Sequence, residues 1–123
     1  MSAKTKLIEI LEGFGYPCFL QGTLEEDAPY PDSFITFQTT DSSDNSFYDD
    51  ELFAEDWSFA VIFYSNNPEL IETEPPKIIK ELKKNKYLPQ GKGFDIPSDE
   101  PTHTGWVLNF IYKEYEGEMT NGN

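Results

Sequence analysis

The chain has 123 residues and a mass of 14.1 kDa, and its 23 acidic residues against nine lysines give a formal net charge of −14. This length suits one domain with a single core, and an apolar fraction of 37% with 15% aromatic residues excludes a disordered acidic tail. The chain has no arginine and a pI near 4.2, so it lacks the cationic surface that neutralises nucleic-acid phosphates. We therefore expect no direct nucleic-acid binding.

Cys18 is the only cysteine in the sequence, which excludes an intrachain disulfide and a cysteine-based zinc site. Glu9 and Glu12 interrupt the first apolar run, so we expect no secretory signal. No uncharged apolar stretch has the length that spans a bilayer. The sequence predicts a soluble protein that is made in the cytoplasm without export and has no membrane partner.

The first third of the chain predicts one helix followed by strands. An apolar stripe predicts an amphipathic helix over residues 3–13, which Gly13 and Gly15 end. A brief strand is expected over 18–21. Residues 33–39 alternate and are rich in β-branched and aromatic side chains, which predicts a second strand. Residues 41–46 are polar and predict a turn.

The middle of the chain predicts a central strand and then a second helix. Residues 52–64 carry apolar side chains on both faces, as expected for a central strand or for a sheet that is covered on both sides. Asn67 and Pro68 are typical of an N-cap and the first helical position. A helical apolar stripe follows up to Leu82, and lysines occupy the last turn. The pair at 75–76 is Pro-Pro, which predicts a break or kink.

The last third predicts two more strands, over 87–96 and 106–112, with a turn at 97–101 between them. The order is then α-β-β-β-α-β-β. Such an order is typical of an α+β fold, an antiparallel sheet of four to five strands packed against two helices. We expect residues 1–114 to form the single domain and residues 115–123 to be a disordered C-terminal tail.

Charge is strongly segregated along the chain. Eleven acidic residues and no lysine lie between Glu25 and Asp56, whereas lysines concentrate in the second predicted helix. This segment is either a solvated acidic surface or a surface that repels DNA, mimics it or meets a basic partner. Residues 41–46 lack the ligand spacing and terminal glutamate of a calcium loop, so we predict no metal site.

The residues that could carry chemistry lack the partners that chemistry needs. His103 is the only histidine and lies in a threonine-flanked turn, where a structural role is favoured over general-base catalysis. Cys18 is interpreted as a small buried apolar residue. Gly91-Lys92-Gly93 lacks the other positions of a phosphate-binding loop. The sequence therefore predicts no catalytic residue and no cofactor site.

Four segments together resemble a known family, namely Pro29–Phe37, Trp57–Pro68, Gly91–Asp95 and Ser98–Gly105. Their order is similar to that in the small tail-completion or tail-terminator-like proteins of siphophages and prophages of Gram-positive bacteria. The resemblance implies a non-enzymatic α+β domain that assembles into rings, often hexameric, at the head-proximal end of the tail tube. It implies a virion location, with the protein itself and other tail or head–tail connector proteins as partners, and no small-molecule substrate.

A ring needs two different complementary patches on each subunit. We predict that the lysines of the second helix face the acidic 41–56 region of a neighbouring subunit, with two aromatic residues as anchors. The predicted interface residues are Phe47, Tyr48, Asp49, Asp50, Glu51, Lys80, Lys83 and Lys84. The alternative function is an acidic DNA mimic that inhibits a host nucleic-acid-binding protein. A small hydrolase is disfavoured by the single histidine and the lack of arginine.

Overall fold

The structure, a computed structural model, describes residues 2–21, 30–44 and 54–115. It contains two helices, α1 and α2, and six strands, β1 to β6, which confirms the predicted α+β class. In chain order the elements are α1 (Ala3–Glu12), β1 (Cys18–Leu20), β2 (Ser33–Asp44), β3 (Ala54–Ser65), α2 (Pro68–Lys84), β4 (Leu88–Pro89), β5 (Phe94–Pro97) and β6 (Thr104–Tyr115). Strand β6 runs through Tyr115, and the rest of the predicted tail lies outside the described residues.

Side chains cap both helices at their N-termini. In α1 the Ser2 hydroxyl accepts a hydrogen bond from the Thr5 amide, and in α2 the Asn67 side chain accepts one from the Glu69 amide. Each bond satisfies an amide that has no partner within its helix. The predicted start of α2 at Asn67 and Pro68 is therefore confirmed.

The predicted break in α2 is wrong, because Pro75 and Pro76 lie inside one continuous helix of 17 residues. Proline removes a backbone hydrogen bond from a helix interior. Packing compensates for this loss. Pro75, Ile78 and Leu82 are all buried, and Ile78 and Leu82, which follow the prolines, belong to the main apolar core. Tertiary contacts on both sides of the proline pair thus outweigh the local preference for a break.

The sheet has the strand order β1-β2-β3-β6-β4, with β5 also paired to β6. The expected antiparallel pairing is correct for every pair except β1 with β2, which is parallel. The expected turn over residues 41–46 is wrong for 41–44, because β2 continues there and pairs with β3 up to Asp44 opposite Glu55. The sheet is therefore mixed and has six strands instead of four to five.

The single strand expected over 87–96 is two strands, β4 and β5, with a turn between them. Gly91 and Gly93 both have positive φ angles, of 86° and 99°, which glycine adopts without strain. At Gly93 a Cβ atom would also collide with the Trp106 indole nitrogen and the Val107 carbonyl. The two glycines let the chain turn tightly against β6.

The sheet has one large and one small apolar face, as the two-faced pattern of residues 52–64 predicts. On the helix side, Phe59, Val61 and Phe63 of β3 pack with α1, α2 and β6. On the opposite side, Ile62 and Tyr64 of β3 belong to a second cluster. The helix side forms the main core, and the other side has a smaller apolar patch.

Candidate interaction surface

An open groove lies on the helix side of the sheet, between residues 68–79 of α2 and the β5–β6 edge. Its volume is about 830 Å³. It is lined mainly by apolar side chains, with charged residues among them. The lining residues are Pro68, Ile71, Glu72, Pro75, Pro76, Ile79, Lys92, Asp95, Thr104 and Trp106.

The groove wall on α2 follows from how that helix packs. Ile78 and Leu82 face inward and are buried, whereas Ile71 and Ile79 are only half-buried beside them. Pro76 is exposed on the same helix. The apolar stripe of α2 is wider than its contact with the sheet, which leaves one side of the stripe uncovered.

The opposite wall is fixed by Trp106 of β6. Its indole nitrogen donates a hydrogen bond to the Lys92 carbonyl at 2.9 Å, which holds the β4–β5 turn against β6. Among the described strands, β5 pairs only with β6, so its outer side is a sheet edge. An apolar groove beside an unpaired strand edge can receive an extended segment of another chain.

The predicted lysines lie on α2 beyond the groove, with Lys80 directly after the groove residue Ile79 and Lys83 and Lys84 in the last turn. Lys80, Lys83 and Lys84 are all exposed. The Lys84 ammonium lies 3.6 Å from the Glu81 carboxylate, an exposed pair that contributes little to stability. Lys80 and Lys83 form no ion pair within residues 2–21, 30–44 and 54–115. They are thus available to an acidic partner.

The other predicted interface residues, Phe47, Tyr48, Asp49, Asp50 and Glu51, lie outside the described residues. The strands that lead to them, β2 and β3, are described up to the Asp44–Glu55 pair. That pair lies at one end of β3, whereas the groove is lined by Thr104, which pairs with Ser65 at the other end of β3. Ten residues of strand separate the two ends, or about 33 Å.

His103 is held by both ring nitrogens. Nε2 lies 2.8 Å from the Pro31 carbonyl oxygen and Nδ1 lies 2.9 Å from the Thr102 hydroxyl. The ring is only 8% exposed and meets the Tyr30 ring edge-on at 5.3 Å between centroids. Because both ring nitrogens have hydrogen-bond partners, His103 connects Pro31 to the segment directly before β6. This arrangement is compatible with the structural role favoured from the sequence.

Cys18 is half-buried at the start of β1, and its thiol lies 3.4 Å from the Tyr16 carbonyl oxygen. Burial, and to a lesser extent the Glu12 charge, together raise the pKa of this thiol to about 11. A thiol with so high a pKa is protonated at neutral pH and is a weak nucleophile.

Two further findings concern metals and membranes. In the described part of the chain, no three histidine, cysteine or acidic side chains come together in a way that could hold a metal ion. Neither helix that the structure describes combines the length and apolar composition needed to cross a membrane.

Sequence reasoning missed the groove. Its α2 wall is formed by prolines that predicted a break, and its β6 wall depends on a pairing between β5 and β6 that no local pattern encodes. The signal that could have found the first wall is the apolar series Pro68, Ile71, Pro75 and Ile79, whose helical spacing continues through the prolines.

Comparison with known proteins leaves the functional question to the geometry. No protein-family model matches this chain, and a search of curated proteins gives no significant match.

Proposed function

We propose that this protein is a non-enzymatic structural component of a phage tail, tail-terminator-like or a minor tail protein. It acts by self-association into a ring and by docking at the junction of the tail tube and the head. In this proposal it is made in the host cytoplasm and resides in the virion. The observation that carries it is the apolar groove beside the outer edge of β5, with which no other described strand pairs.

The occupant that we propose for the groove is a second copy of this chain. The groove lies at one end of the sheet, and the Asp44–Glu55 pair, here called the β2–β3 end, lies at the other. The β2–β3 end of a chain is therefore too far from the groove of the same chain to fill it. A contact between the groove of one copy and the β2–β3 end of the next is head-to-tail. Repeated head-to-tail contacts close into a ring when the rotation permits.

Charge supports the same arrangement. In this contact, the acidic residues that are adjacent to β2 and β3 in sequence would lie beside Lys80, Lys83 and Lys84 of the neighbouring copy. Lys80 directly follows the groove residue Ile79. Opposite charges at such a contact favour correct orientation and fast association. The net charge of −14 also repels DNA, as the lumen of a tail tube requires.

Electron microscopy of the concentrated protein, alone and with a purified tail tube, tests the proposed function. We expect closed rings of uniform diameter, or caps at one end of the tube. Protein that stays monomeric at high concentration and leaves tube ends bare would contradict the proposal.

The alternative, a DNA mimic, is favoured by the same net charge of −14. A mimic needs carboxylates arranged like phosphates on a rigid surface. It would bind a purified host DNA-binding protein in competition with duplex DNA, and that competition would be lost at high salt. Competition of this kind together with a lack of rings would favour the mimic over the tail component.

A further inference from the structure

A second cavity lies on the opposite face of the sheet from the groove. Its volume is about 250 Å³, and it opens between β2, β3 and the segment that follows β5. It is lined by aromatic, hydroxyl, amide and carboxylate groups. The lining residues are Gln21, Tyr30, Phe34, Thr36, Tyr64, Ile96, Pro97, Ser98 and Asp99.

Thr36 contributes an unpaired polar group to this cavity. The residue is 5% exposed, and its hydroxyl oxygen is buried without a hydrogen-bond partner in the structure. Buried polar groups are nearly always paired, because leaving one unpaired destabilises the fold. Within residues 2–21, 30–44 and 54–115 the hydroxyl has no partner, and the cavity that Thr36 lines is where a partner can enter.

The electrostatic character of the cavity selects the kind of partner. Asp99 is exposed at the cavity, and no lysine is among the lining residues. Burial raises the pKa of Tyr30, and the charges of Asp99 and Glu100 raise it further. Burial also raises the pKa of Tyr64, the Gln21 hydrogen bond opposes this, and the Asp99 charge adds to the rise. The negative potential of Asp99 thus reaches both tyrosine hydroxyls, and it disfavours an anion.

We propose that this cavity binds a primary alkylammonium group. An ammonium N–H donates to the unpaired Thr36 hydroxyl oxygen, and the positive charge is attracted by Asp99. The carbon chain lies against the apolar side chains of Phe34 and Ile96. A carboxylate or phosphate ligand would be repelled, and a neutral alcohol would gain no charge attraction. The site is independent of the groove and of the proposed self-association.

The test is a titration of the full chain, labelled with ¹⁵N, at constant ionic strength. The probes are n-butylammonium, 1-butanol and butyrate. We expect n-butylammonium to shift the amide signals of Thr36, Tyr64 and Asp99 saturably, and to bind about tenfold more tightly than 1-butanol because its hydrogen bond is charge-assisted. Butyrate should give no saturable shift. Nα-acetyl-lysine methylamide carries the same alkylammonium group on a peptide unit. A higher affinity for this compound than for n-butylammonium would indicate that the ligand is a lysine side chain of another protein.

Two variants with a matched control separate the site from general counterion binding. Asp99→Asn should weaken butylammonium binding about tenfold, and Thr36→Val should weaken it to a similar extent. The control is Asp95→Asn, an exposed carboxylate of β5 that lines the groove on the other face, and its affinity should stay within about twofold. Equal losses for Asp99→Asn and Asp95→Asn, or equal binding of butylammonium and butanol, would overturn the proposal. So would a lack of saturation at high butylammonium concentration.

Discussion

Glu74 connects α2 to the segment after α1 through one carboxylate. The Tyr16 hydroxyl donates to Oε1 at 2.9 Å, and the Lys77 ammonium donates to Oε2 at 2.9 Å. The Lys77 hydrogen bond is the largest cause that lowers the pKa of Glu74, burial opposes it, and the Tyr16 bond adds to the lowering. Burial raises the pKa of Tyr16 to about 12, with the Glu74 hydrogen bond as a further cause.

Replacing Glu74 by glutamine should have a pH-dependent effect. A carboxylate whose pKa is lowered by folding stabilises the folded state above its ordinary pKa of 4.5, and this contribution disappears as pH falls through the folded-state value. We therefore expect Glu74→Gln to lower the free energy of unfolding most at neutral pH and least in acid. Urea unfolding followed by tryptophan fluorescence measures this. The control Glu9→Gln, an exposed carboxylate of α1 outside the groove, should have a smaller effect at neutral pH, and a Glu74→Gln effect that grew in acid would contradict the account.

The unpaired hydroxyl of Thr36 gives a second prediction for a single residue. Thr36→Val keeps the shape of the side chain and removes a buried polar group that has no partner. In the absence of ligand we expect the free energy of unfolding to rise by about 1 kcal/mol. The control Thr104→Val, at an exposed strand position, should change it by less than about 0.5 kcal/mol. A loss of stability in Thr36→Val would show that the hydroxyl is paired in solution.

At the level of elements, α2 shows what a sequence pattern can and cannot decide. Its start was predictable because both signals are local: the Asn67 side chain accepts a hydrogen bond from the nearby Glu69 amide, and Pro68 favours the first helical position. Its continuation through Pro75 and Pro76 was not, because the compensating contacts come from strands that lie close only in the fold. The apolar periodicity, which reflects those contacts, was the better guide.

The same distinction holds for the strands and for the groove. The two apolar faces of β3 were predictable because side chains alternate along a strand. The parallel direction of β1 and the extension of β2 to Asp44 depend on the partner strand, which a local pattern does not specify. The groove needs both α2 and the β5–β6 edge, so no single segment of the sequence contains it.

Removing one proline tests the account of α2. Pro76→Ala supplies an amide that can bond the Glu72 carbonyl and restores a helix-favouring residue at an exposed position. We expect the free energy of unfolding to rise by about 1–3 kcal/mol, measured by urea unfolding followed by circular dichroism. Lys80→Ala, at another exposed position of α2, should change it by less than about 0.5 kcal/mol. If Pro76→Ala destabilises the protein, the proline contributes packing that outweighs its cost to the helix.

For the whole molecule, the predicted charge pairing between neighbouring copies has its own test. Lys83→Glu with Lys84→Glu should weaken self-association in low salt, because these residues would then repel the acidic region of the neighbour. The difference from wild type should shrink near physiological salt, where exposed charges are screened beyond about 8 Å. Lys4→Glu, an exposed reversal on α1, is the control. Unchanged assembly of the double variant in low salt would refute the pairing.

The most direct test of the proposed function is sedimentation velocity of wild type and groove variants over a range of concentrations. Ile79→Lys and Thr104→Lys place a charge in the groove, one on each wall, whereas Leu88→Lys removes an exposed apolar side chain outside it. Circular dichroism verifies that each variant is folded. The account predicts a discrete oligomer for wild type and Leu88→Lys and a monomer for both groove variants. A folded groove variant that sediments as the wild-type oligomer, or a wild type that is monomeric throughout, would contradict it.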